Sequence, residues 1–322
     1  MRAIMIDHVG GPEVLQMVDM VEPPLQPHEI RIEHAAIGLN FIDIYQRSGL
    51  YPMALPARLG LEAAGVVVET GRDVSRFKLG DRVAYCSTPG AYAERNSVPE
   101  ALAVAIPADV SFEIAAAAML KGLTAEFLCR RIWPLAPGDR VLVHAAAGGV
   151  GGMLTQWLNH LGITVIGVVG SAAKAQIAER QGCHHVLLSD GDDIAARVQQ
   201  ITGGEGVKVV YDSVGAATFD ASLASLARRG LFVSFGNASG PAPAFEPGRL
   251  MRGGSLFLTR PTLFDYLRAP GELDSAAADL FDVIKSGAVK IDIGQSFALA
   301  DIAKAHTALA SRQTTGATVI RP

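Results

Sequence analysis

Small residues follow an apolar run near the middle of the chain, and their spacing is suited to binding a phosphate group. The run 141–143 leads into Ala146, Gly148 and Gly151, the A-x-G-x-x-G form of the dinucleotide fingerprint. Glycines allow backbone N–H groups to approach a pyrophosphate, and a helix predicted from about residue 152 would direct its positive end at that charge. The motif therefore predicts a dinucleotide site, although a plain tight turn is an alternative at this stage.

The end of the next predicted strand, 164–169, indicates which dinucleotide binds. NAD sites usually carry Asp or Glu there, to bind the ribose 2′-hydroxyl. This chain instead has Gly170, Ser171 and Lys174. A hydroxyl and an ammonium accept a 2′-phosphate that a carboxylate would repel. We therefore predict NADP(H) rather than NAD(H), the alternative being that Lys174 is an ordinary solvated helix residue.

Strand and helix patterns alternate through this half of the chain. Strands are predicted over 141–145, 164–169, 185–188, 207–211 and 230–235, and helices over about 152–161, 172–181, 192–201 and 217–228. Such alternation predicts a parallel, doubly wound sheet built from right-handed β-α-β units. Turns at 213–215 and 235–237 follow two of these strands at their carboxyl ends, where open α/β sheets bind ligands. Turn formation alone is the competing interpretation of both.

The first third of the chain has a different texture. Short β-like runs with Gly and Pro between them continue to about Ile106, which predicts a small β-barrel. Two alanine-rich helical stretches follow, and after a helix near 272–286 the β pattern returns at Phe297 and 318–320. The C-terminal tail is therefore expected to rejoin the first domain. The apolar run 255–259 would add an edge strand to the parallel sheet, and such an edge favours pairing with a second copy, a homodimer.

Composition limits the functional classes. Of 322 residues, 49% are hydrophobic and 19% charged, and the net charge of −4 gives no basic field, so binding to nucleic acid or an anionic membrane is not favoured. The three cysteines are scattered, which is typical of a reducing compartment and forms neither a disulfide framework nor a clustered zinc site. Neither a signal-peptide core nor an apolar run of about 18 residues is present, so we expect a cytoplasmic protein.

Six segments in order resemble one enzyme family. The chain is similar to the medium-chain dehydrogenase/reductase superfamily, and within it to the zinc-free NADPH:quinone oxidoreductases related to zeta-crystallin, and the match runs nearly end to end. The segments that carry this resemblance are 40–43, 47–52, 121–124, 144–151, 211–215 and 234–237.

The resemblance implies an α/β fold in two domains. A GroES-like β-barrel domain would comprise 1–122 and 262–322, and a doubly wound parallel-sheet Rossmann domain that binds NADP(H) would comprise 123–261. The implied function is NADPH-dependent reduction of a quinone or another conjugated acceptor. Two alternatives remain open: reduction of the double bond of an enone or enoyl thioester, and a structural or RNA-associated NADPH-binding protein.

The resemblance also implies a site without metal. Zinc-dependent relatives place Cys where this chain has Asn40, and Gly-His-Glu where it has Gly60-Leu61-Glu62. Asn, Leu and one Glu do not supply the usual tetrahedral N/S ligand set of zinc. Reducing a simple carbonyl builds an alkoxide that needs a Lewis acid, whereas reducing a quinone yields a phenolate that the ring stabilises. A quinone reductase can therefore do without zinc, and Glu62 is interpreted as structural or hydrogen-bonding.

Residue roles follow from the same resemblance. The implied catalytic residues are Asn40 and Tyr45 at the nicotinamide, Asp43 nearby and Tyr51 facing the acceptor, as a proton donor or as a packing residue. The implied cofactor contacts are Asn40, Tyr45, Lys121, Thr124, Gly148, Gly149, Val150, Gly170, Ser171, Lys174, Ser189, Ser213, Phe235, Gly236, Asn237, Thr259, Arg260, Pro261 and Arg312. Close relatives carry a Tyr near the end of the third strand of this domain, where this chain has Ser189-Asp190. Ser189 can bind a phosphate, but Asp190 would repel it.

Overall fold

A computed structural model gives the structure of residues 1–311 and 314–322. The chain divides into two units, the first comprising Met1–Lys121, Leu273–Lys285 and Ile291–Pro322, and the second comprising Gly122–Glu272 and Ser286–Lys290. The first part of the chain contains β1 (Arg2–Ile6), β2 (Gln16–Asp19), β3 (Glu29–Leu39), α1 (Phe41–Arg47), β4 (Ala57–Arg58), β5 (Glu62–Thr70), β6 (Arg82–Tyr85), β7 (Arg95–Pro99), β8 (Ala103–Ala105) and α2 (Phe112–Arg130).

The remaining elements alternate and then return to β structure. They are β9 (Arg140–His144), α3 (Gly149–His160), β10 (Thr164–Val169), α4 (Ala172–Arg180), β11 (His185–Leu188), α5 (Ile194–Thr202), β12 (Val207–Asp212), α6 (Phe219–Ala224), β13 (Leu226–Ser234), α7 (Gly248–Arg252), β14 (Phe257–Thr259), α8 (Glu272–Lys285), β15 (Ile293–Ala298), α9 (Ile302–Ala310) and β16 (Ala317–Arg321).

The first unit is built on a mainly antiparallel sheet of order β15-β16-β3-β5-β6-β8, with β7 also paired to β3, and a smaller sheet of order β2-β1-β4. The C-terminal strand β16 pairs antiparallel with β3, with Thr318 opposite Leu39. The core of the first unit includes Ile30, Ile32 and Val67, which are almost fully buried. The barrel domain that the sequence predicts is therefore closed by residues from both ends of the chain.

The second unit contains a six-stranded sheet of order β11-β10-β9-β12-β13-β14 whose strands are all parallel. The doubly wound fold is confirmed. Because β9 lies between β10 and β12, the chain reverses its direction of strand addition at β9, and ligands bind at such a switch point. The carboxyl end of β9 leads directly into the glycine turn.

Two predicted helices differ from the structure. The helix after the fingerprint begins at Gly149, not near 152. The helix predicted over 217–228 ends at Ala224, because Ser225 accepts a hydrogen bond from the amide of Val207 and Leu226 already pairs with β12. Within β13, Arg229 has a positive φ of 58°, and the pairing of β12 with β13 shifts its register between Val207 and Val209.

The sequence analysis placed residues 262–272 in the first domain, whereas the structure groups them with the second unit. Ring stacking gives the reason: Tyr266 lies on Phe127 with centroids 4.4 Å apart. Arg131 also donates to the carbonyl of Tyr266 at 2.7 Å. These contacts attach the segment to α2 and the loop after it.

No helix in the part of the chain that the structure describes is both long and apolar enough for a membrane span.

Candidate functional site

The glycine turn after β9 leaves backbone donors available for an anion. Gly148 is the N-cap of α3 and offers no capping side chain, and the first turn carries no acidic residue. The amides of Gly149, Val150 and Gly151 have no acceptor within the described part of the chain. Helix amino termini with open N–H groups bind phosphates through those groups and the helix dipole.

The two fingerprint glycines have different packing roles. A Cβ on Gly151 would lie 2.2 Å from the carbonyl oxygen of Ala145, whereas one on Gly148 would lie 3.1 Å from the same atom. Gly151 therefore permits the close approach of α3 to the end of β9, and Gly148 leaves the mouth of the turn open. We call residues 145–151 the phosphate cradle.

The end of β10 places the residues predicted to select the cofactor next to one another. Ser171 caps α4 by accepting the amide of Lys174 at 3.3 Å. A Cβ on Gly170 would lie 3.7 Å from Ser189 Oγ, so the ends of β10 and β11 are adjacent. Ser189 donates to the carboxylate of Asp190 at 3.3 Å. The edge thus carries two hydroxyls and an ammonium, with one carboxylate beside them.

A buried carboxylate, Asp212, shapes the next loop. Its Oδ1 accepts the amides of Val214 and Gly215 at 2.7 and 3.0 Å, and its Oδ2 accepts the hydroxyls of Thr218 and Ser222 at 2.6 and 2.8 Å. These four bonds hold the turn that contains Ser213. Asp212 is not among the predicted site residues. A carboxylate that ends an apolar strand just before a glycine turn is the signal that could indicate it.

The ends of β13 and β14 complete this edge of the sheet. A Cβ on Gly236 would lie 2.3 Å from the carbonyl oxygen of Ser213, so the loops after β12 and β13 are in close contact. Arg260, directly after β14, donates to the carbonyl of Ser234 at 2.9 Å. The structure therefore brings together the predicted residues at the ends of β12, β13 and β14, namely Ser213, Phe235, Gly236, Asn237, Thr259 and Arg260, and Pro261 follows them in the chain.

The second unit therefore suits a dinucleotide. The cradle supplies unpaired N–H groups for a pyrophosphate, and neighbouring strand ends supply polar groups on either side. Thr124 lies in α2 in this unit. Arg312 lies outside the described residues.

In the first unit, Asn40 and Asp43 open helix α1. Asn40 is the N-cap, and its backbone N–H donates to Asp43 Oδ2 at 2.8 Å. Tyr92 donates its hydroxyl to the same oxygen at 2.7 Å. Burial raises the pKa of Asp43 to about 7, although the hydrogen bonds from Tyr92 and Asn40 and the charge of Lys121 oppose the rise. This carboxyl therefore titrates near neutral pH.

Glu62 connects Asn40 to Lys121. It is fully buried and accepts Asn40 Nδ2 at 2.8 Å, the amide of Leu120 at 2.6 Å and Lys121 Nζ at 3.3 Å. A Cβ on Gly38 would lie 2.1 Å from Glu62 Oε2, so this glycine provides the space for the carboxylate. Glu62 is not among the predicted site residues, but it is hydrogen-bonded to two of them, Asn40 and Lys121. The segment Gly60-Leu61-Glu62 was the signal that pointed to it.

Tyr45 and Tyr51 lie together beyond this network. Their ring centroids are 5.2 Å apart, and the amide of Tyr51 donates to the carbonyl of Tyr45 at 3.0 Å. Tyr45 is buried and Tyr51 is half-buried. The half-buried Tyr51, in the turn after α1, therefore packs against the buried Tyr45.

Across residues 1–311 and 314–322, no group of three or more His, Cys, Asp or Glu side chains is arranged to hold a metal ion. Near Asn40, the ammonium of Lys121 forms an ion pair with Glu62, and its positive charge also favours the ionised form of Asp43.

Comparison with known proteins identifies the family. The family model for the alcohol dehydrogenase GroES-like domain matches residues 26–108, and that for zinc-binding dehydrogenase matches 149–269. A quinone oxidoreductase of Pseudomonas aeruginosa is 49% identical over 97% of both chains. A 2-haloacrylate reductase of a Burkholderia species is 39% identical over 99% of this chain and 98% of its own.

A solved structure agrees with these sequence matches. The quinone oxidoreductase of Escherichia coli, crystallised with NADPH, superposes with a TM-score of 0.98 at 45% identity and covers 100% of both chains. Sequence identity, both domain types and the fold therefore agree: the chain belongs to the quinone oxidoreductases of the medium-chain dehydrogenase/reductase superfamily.

Proposed function

We propose that the protein catalyses NADPH-dependent reduction of a quinone. The observation that carries this proposal is the phosphate cradle, whose open amides lie beside a strand end that carries Ser171 and Lys174 instead of a carboxylate. The relatives that are quinone oxidoreductases, one of them crystallised with NADPH, support the same conclusion.

The residues of the second unit would bind the cofactor by its charges. The amides of Gly149 and Val150 would bind the pyrophosphate, and Ser171, Lys174 and Ser189 the 2′-phosphate. Asp190 stands beside Ser189 and opposes a phosphate there, so we expect it to reduce the preference for NADPH. When bound, the nicotinamide supplies the hydride.

The residues of the first unit would act on the reacting groups. The balanced reaction joins NADPH, a quinone and one proton to give NADP⁺ and a hydroquinone. We propose that Asn40 and Tyr45 orient the nicotinamide and that Tyr51 donates the proton to the phenolate oxygen. Because the aromatic product already stabilises that oxygen, no Lewis acid is required, and we propose that the reaction proceeds without zinc.

Initial rates of NADPH oxidation with benzoquinone, naphthoquinone and crotonyl thioester test this function. We expect turnover with the quinones, a much higher KM for NADH than for NADPH, and no loss of rate after dialysis against a chelator. Lys174→Asp should weaken NADPH far more than NADH, with Lys285→Asp as the control on an exposed helix end. Tight NADPH binding without turnover of any acceptor would exclude the enzyme functions, including the alternative of a double-bond reductase.

The double-bond reductase remains the second candidate, since the 2-haloacrylate reductase is a relative across the full chain. A quinone is itself a conjugated enone, so one pocket chemistry serves both acceptors. A higher kcat/KM for crotonyl thioester than for either quinone would favour this candidate.

We propose that two copies associate through β14, the strand at one edge of the parallel sheet. Within the described residues β14 pairs with β13 alone, and Phe257 on it is 50% exposed. An edge strand with an exposed aromatic favours pairing with a second copy. Sedimentation should give the mass of two chains, and Phe257→Lys should give one. A wild-type mass of one chain at all concentrations would contradict the proposal.

We also propose a cytoplasmic location, because the three cysteines are scattered along the chain and Cys86 and Cys183 are buried thiols, as is common in proteins of reducing compartments. Subcellular fractionation tests it.

A further inference from the structure

A chain of buried polar side chains extends from Asp43 through Tyr92. Tyr92, from the loop between β6 and β7, lies 3.1 Å from His306 Nε2, and His306 Nδ1 lies 3.2 Å from Arg47 Nη1. Tyr92 and His306 are fully buried, and Arg47 is 5% exposed. We call Tyr92, His306 and Arg47 the buried arm.

The direction of the hydrogen bonds in the arm is determined by its ends. A guanidinium only donates, so Arg47 donates to His306 Nδ1, and the neutral imidazole then carries its proton on Nε2. Burial and the charge of Arg47 lower the pKa of His306 to about 3, which keeps the ring neutral. Nε2–H donates to the Tyr92 oxygen, and the Tyr92 hydroxyl donates to Asp43 Oδ2. The three hydrogen bonds that link Arg47, His306, Tyr92 and Asp43 therefore run in one direction, toward the Asp43 carboxylate.

The backbone is shaped around Tyr92. Gly60 has a φ of +84°, and a Cβ there would lie 2.4 Å from Tyr92 Cδ1. The Tyr92 and His306 rings meet edge to face, with centroids 5.6 Å apart and an angle of 83° between their planes. The ring is thus confined on two sides, and its hydroxyl has little freedom to leave Asp43.

The arm contacts both ends of α1. Asp43 lies in the first turn, where it accepts the amide of Asn40, and Arg47 is the last residue, where its Nε also donates to the carbonyl of Gly10 at 3.2 Å. Tyr45 lies between them. A seven-residue helix has little stability of its own, so contacts at its two ends decide where its side chains point.

We propose that Tyr92, His306 and Arg47 are positioning residues for the reduction. They keep the Asp43 carboxylate hydrogen-bonded to the backbone N–H of Asn40, and they fix both ends of the helix that carries Tyr45. This inference rests on the proposed function. The three side chains act through Asp43 and α1.

Burial is the largest influence on the pKa of Asp43, and the hydrogen bond from Tyr92 in the arm opposes it. The charged groups that face this carboxyl are Lys121, which favours the carboxylate, and Glu62, which opposes it, while the Tyr92 hydroxyl bonds to the charged form. Oδ1 has no hydrogen-bond partner in the described structure, so both hydrogen bonds to this carboxylate are made by Oδ2. Removing the Tyr92 hydroxyl therefore raises the pKa of Asp43 above about 7. As the pH falls, the carboxylate that accepts the backbone N–H of Asn40 is then protonated at a higher pH than in the wild type.

Tyr92→Phe tests the arm, and Tyr85→Phe is its matched control. Tyr85 is also fully buried in the first unit and also bonds a buried histidine, His34, at 3.0 Å, but it has no bond to Asp43. Both variants lose one hydroxyl from a Tyr–His pair, so both should lower the melting temperature. Only Tyr92→Phe should lower kcat for naphthoquinone, by roughly tenfold, and move the acidic limb of the kcat–pH profile to higher pH.

A second measurement needs no acceptor. In protein labelled with ¹³C at aspartate carboxyls, the Asp43 signal is the one missing in Asp43→Asn, and it should titrate near pH 7 in wild type and Tyr85→Phe but at higher pH in Tyr92→Phe. His306→Leu should behave as Tyr92→Phe, whereas His306→Gln keeps an N–H for Tyr92 and should restore most of kcat.

The outcomes separate the two proposals. Equal kcat–pH profiles for Tyr92→Phe and Tyr85→Phe, or an unshifted Asp43 titration in both Tyr92→Phe and His306→Leu, would overturn the positioning role. Shifted titrations in a protein that reduces no quinone would leave the arm's hold on Asp43 in place and contradict only the proposed function.

Discussion

Replacing Glu62 with alanine should destabilise the first unit more than any other single change at the site. Glu62 and Lys121 are both buried, with side-chain exposures of 0% and 8%. Removing one partner of a buried ion pair leaves an uncompensated charge and costs about 3–5 kcal/mol. The amide of Leu120 and the side-chain amide of Asn40 also lose their acceptor. For a unit of this size the loss corresponds to a fall in melting temperature of roughly 6–20 °C, measurable by scanning calorimetry.

Two variants show whether the charge pair is responsible. Glu69→Ala removes a carboxylate from the same strand β5, but Glu69 is 53% exposed where it meets Arg31, so its loss should cost less than about 1 kcal/mol. Adding Lys121→Met to Glu62→Gln removes both charges, and this double variant should melt above Glu62→Ala. Equal melting temperatures for Glu62→Ala and Glu69→Ala would show that the buried pair contributes no more than an exposed one.

The phosphate cradle could be predicted because its determinants are local. Ala146, Gly148 and Gly151 lie within one turn, and the strand before them and the helix after them follow from periodicity over a few residues. The same holds for Ser171, whose side chain caps the helix that begins next to it. The predicted start of α3 is three residues late because three of its first four residues are glycines, which carry no helical pattern.

The buried arm could not be predicted, since its members are distant in sequence. Tyr92 and His306 are 214 positions apart, and only the return of α9 to the first unit brings them together. No local pattern marks either residue, because a buried Tyr–His pair looks in sequence like two unrelated core residues. Glu62 could be predicted in part. The segment Gly60-Leu61-Glu62 marks it in the sequence, but its bonds to Asn40 and Lys121 depend on the packing of α2 against β5.

Gly151→Ala is expected to impair both folding and cofactor binding, whereas Gly148→Ala should impair binding alone. A Cβ at 151 would lie 2.2 Å from the Ala145 carbonyl oxygen and 2.9 Å from its carbon, both backbone atoms, so α3 must move away from β9. Overpacking of this kind costs about 1–3 kcal/mol. That cost exceeds the gain of at most about 1 kcal/mol that alanine brings to a helix over glycine.

The displaced helix would carry its open amides with it, so the dissociation constant for NADPH should rise at least tenfold, equivalent to about 1.4 kcal/mol. At 148 the nearest atom is 3.1 Å away, so a shift of a few tenths of an ångström admits the methyl, which is then on the N-cap residue next to the open amides. Fluorescence titration with NADPH should therefore show weaker binding in both variants, while calorimetry without cofactor should show a lower melting temperature only in Gly151→Ala. If Gly148→Ala melts as low as Gly151→Ala, the close approach of α3 to Ala145 is not the reason for the glycine at 151, because both positions would then matter through the conformation of the turn.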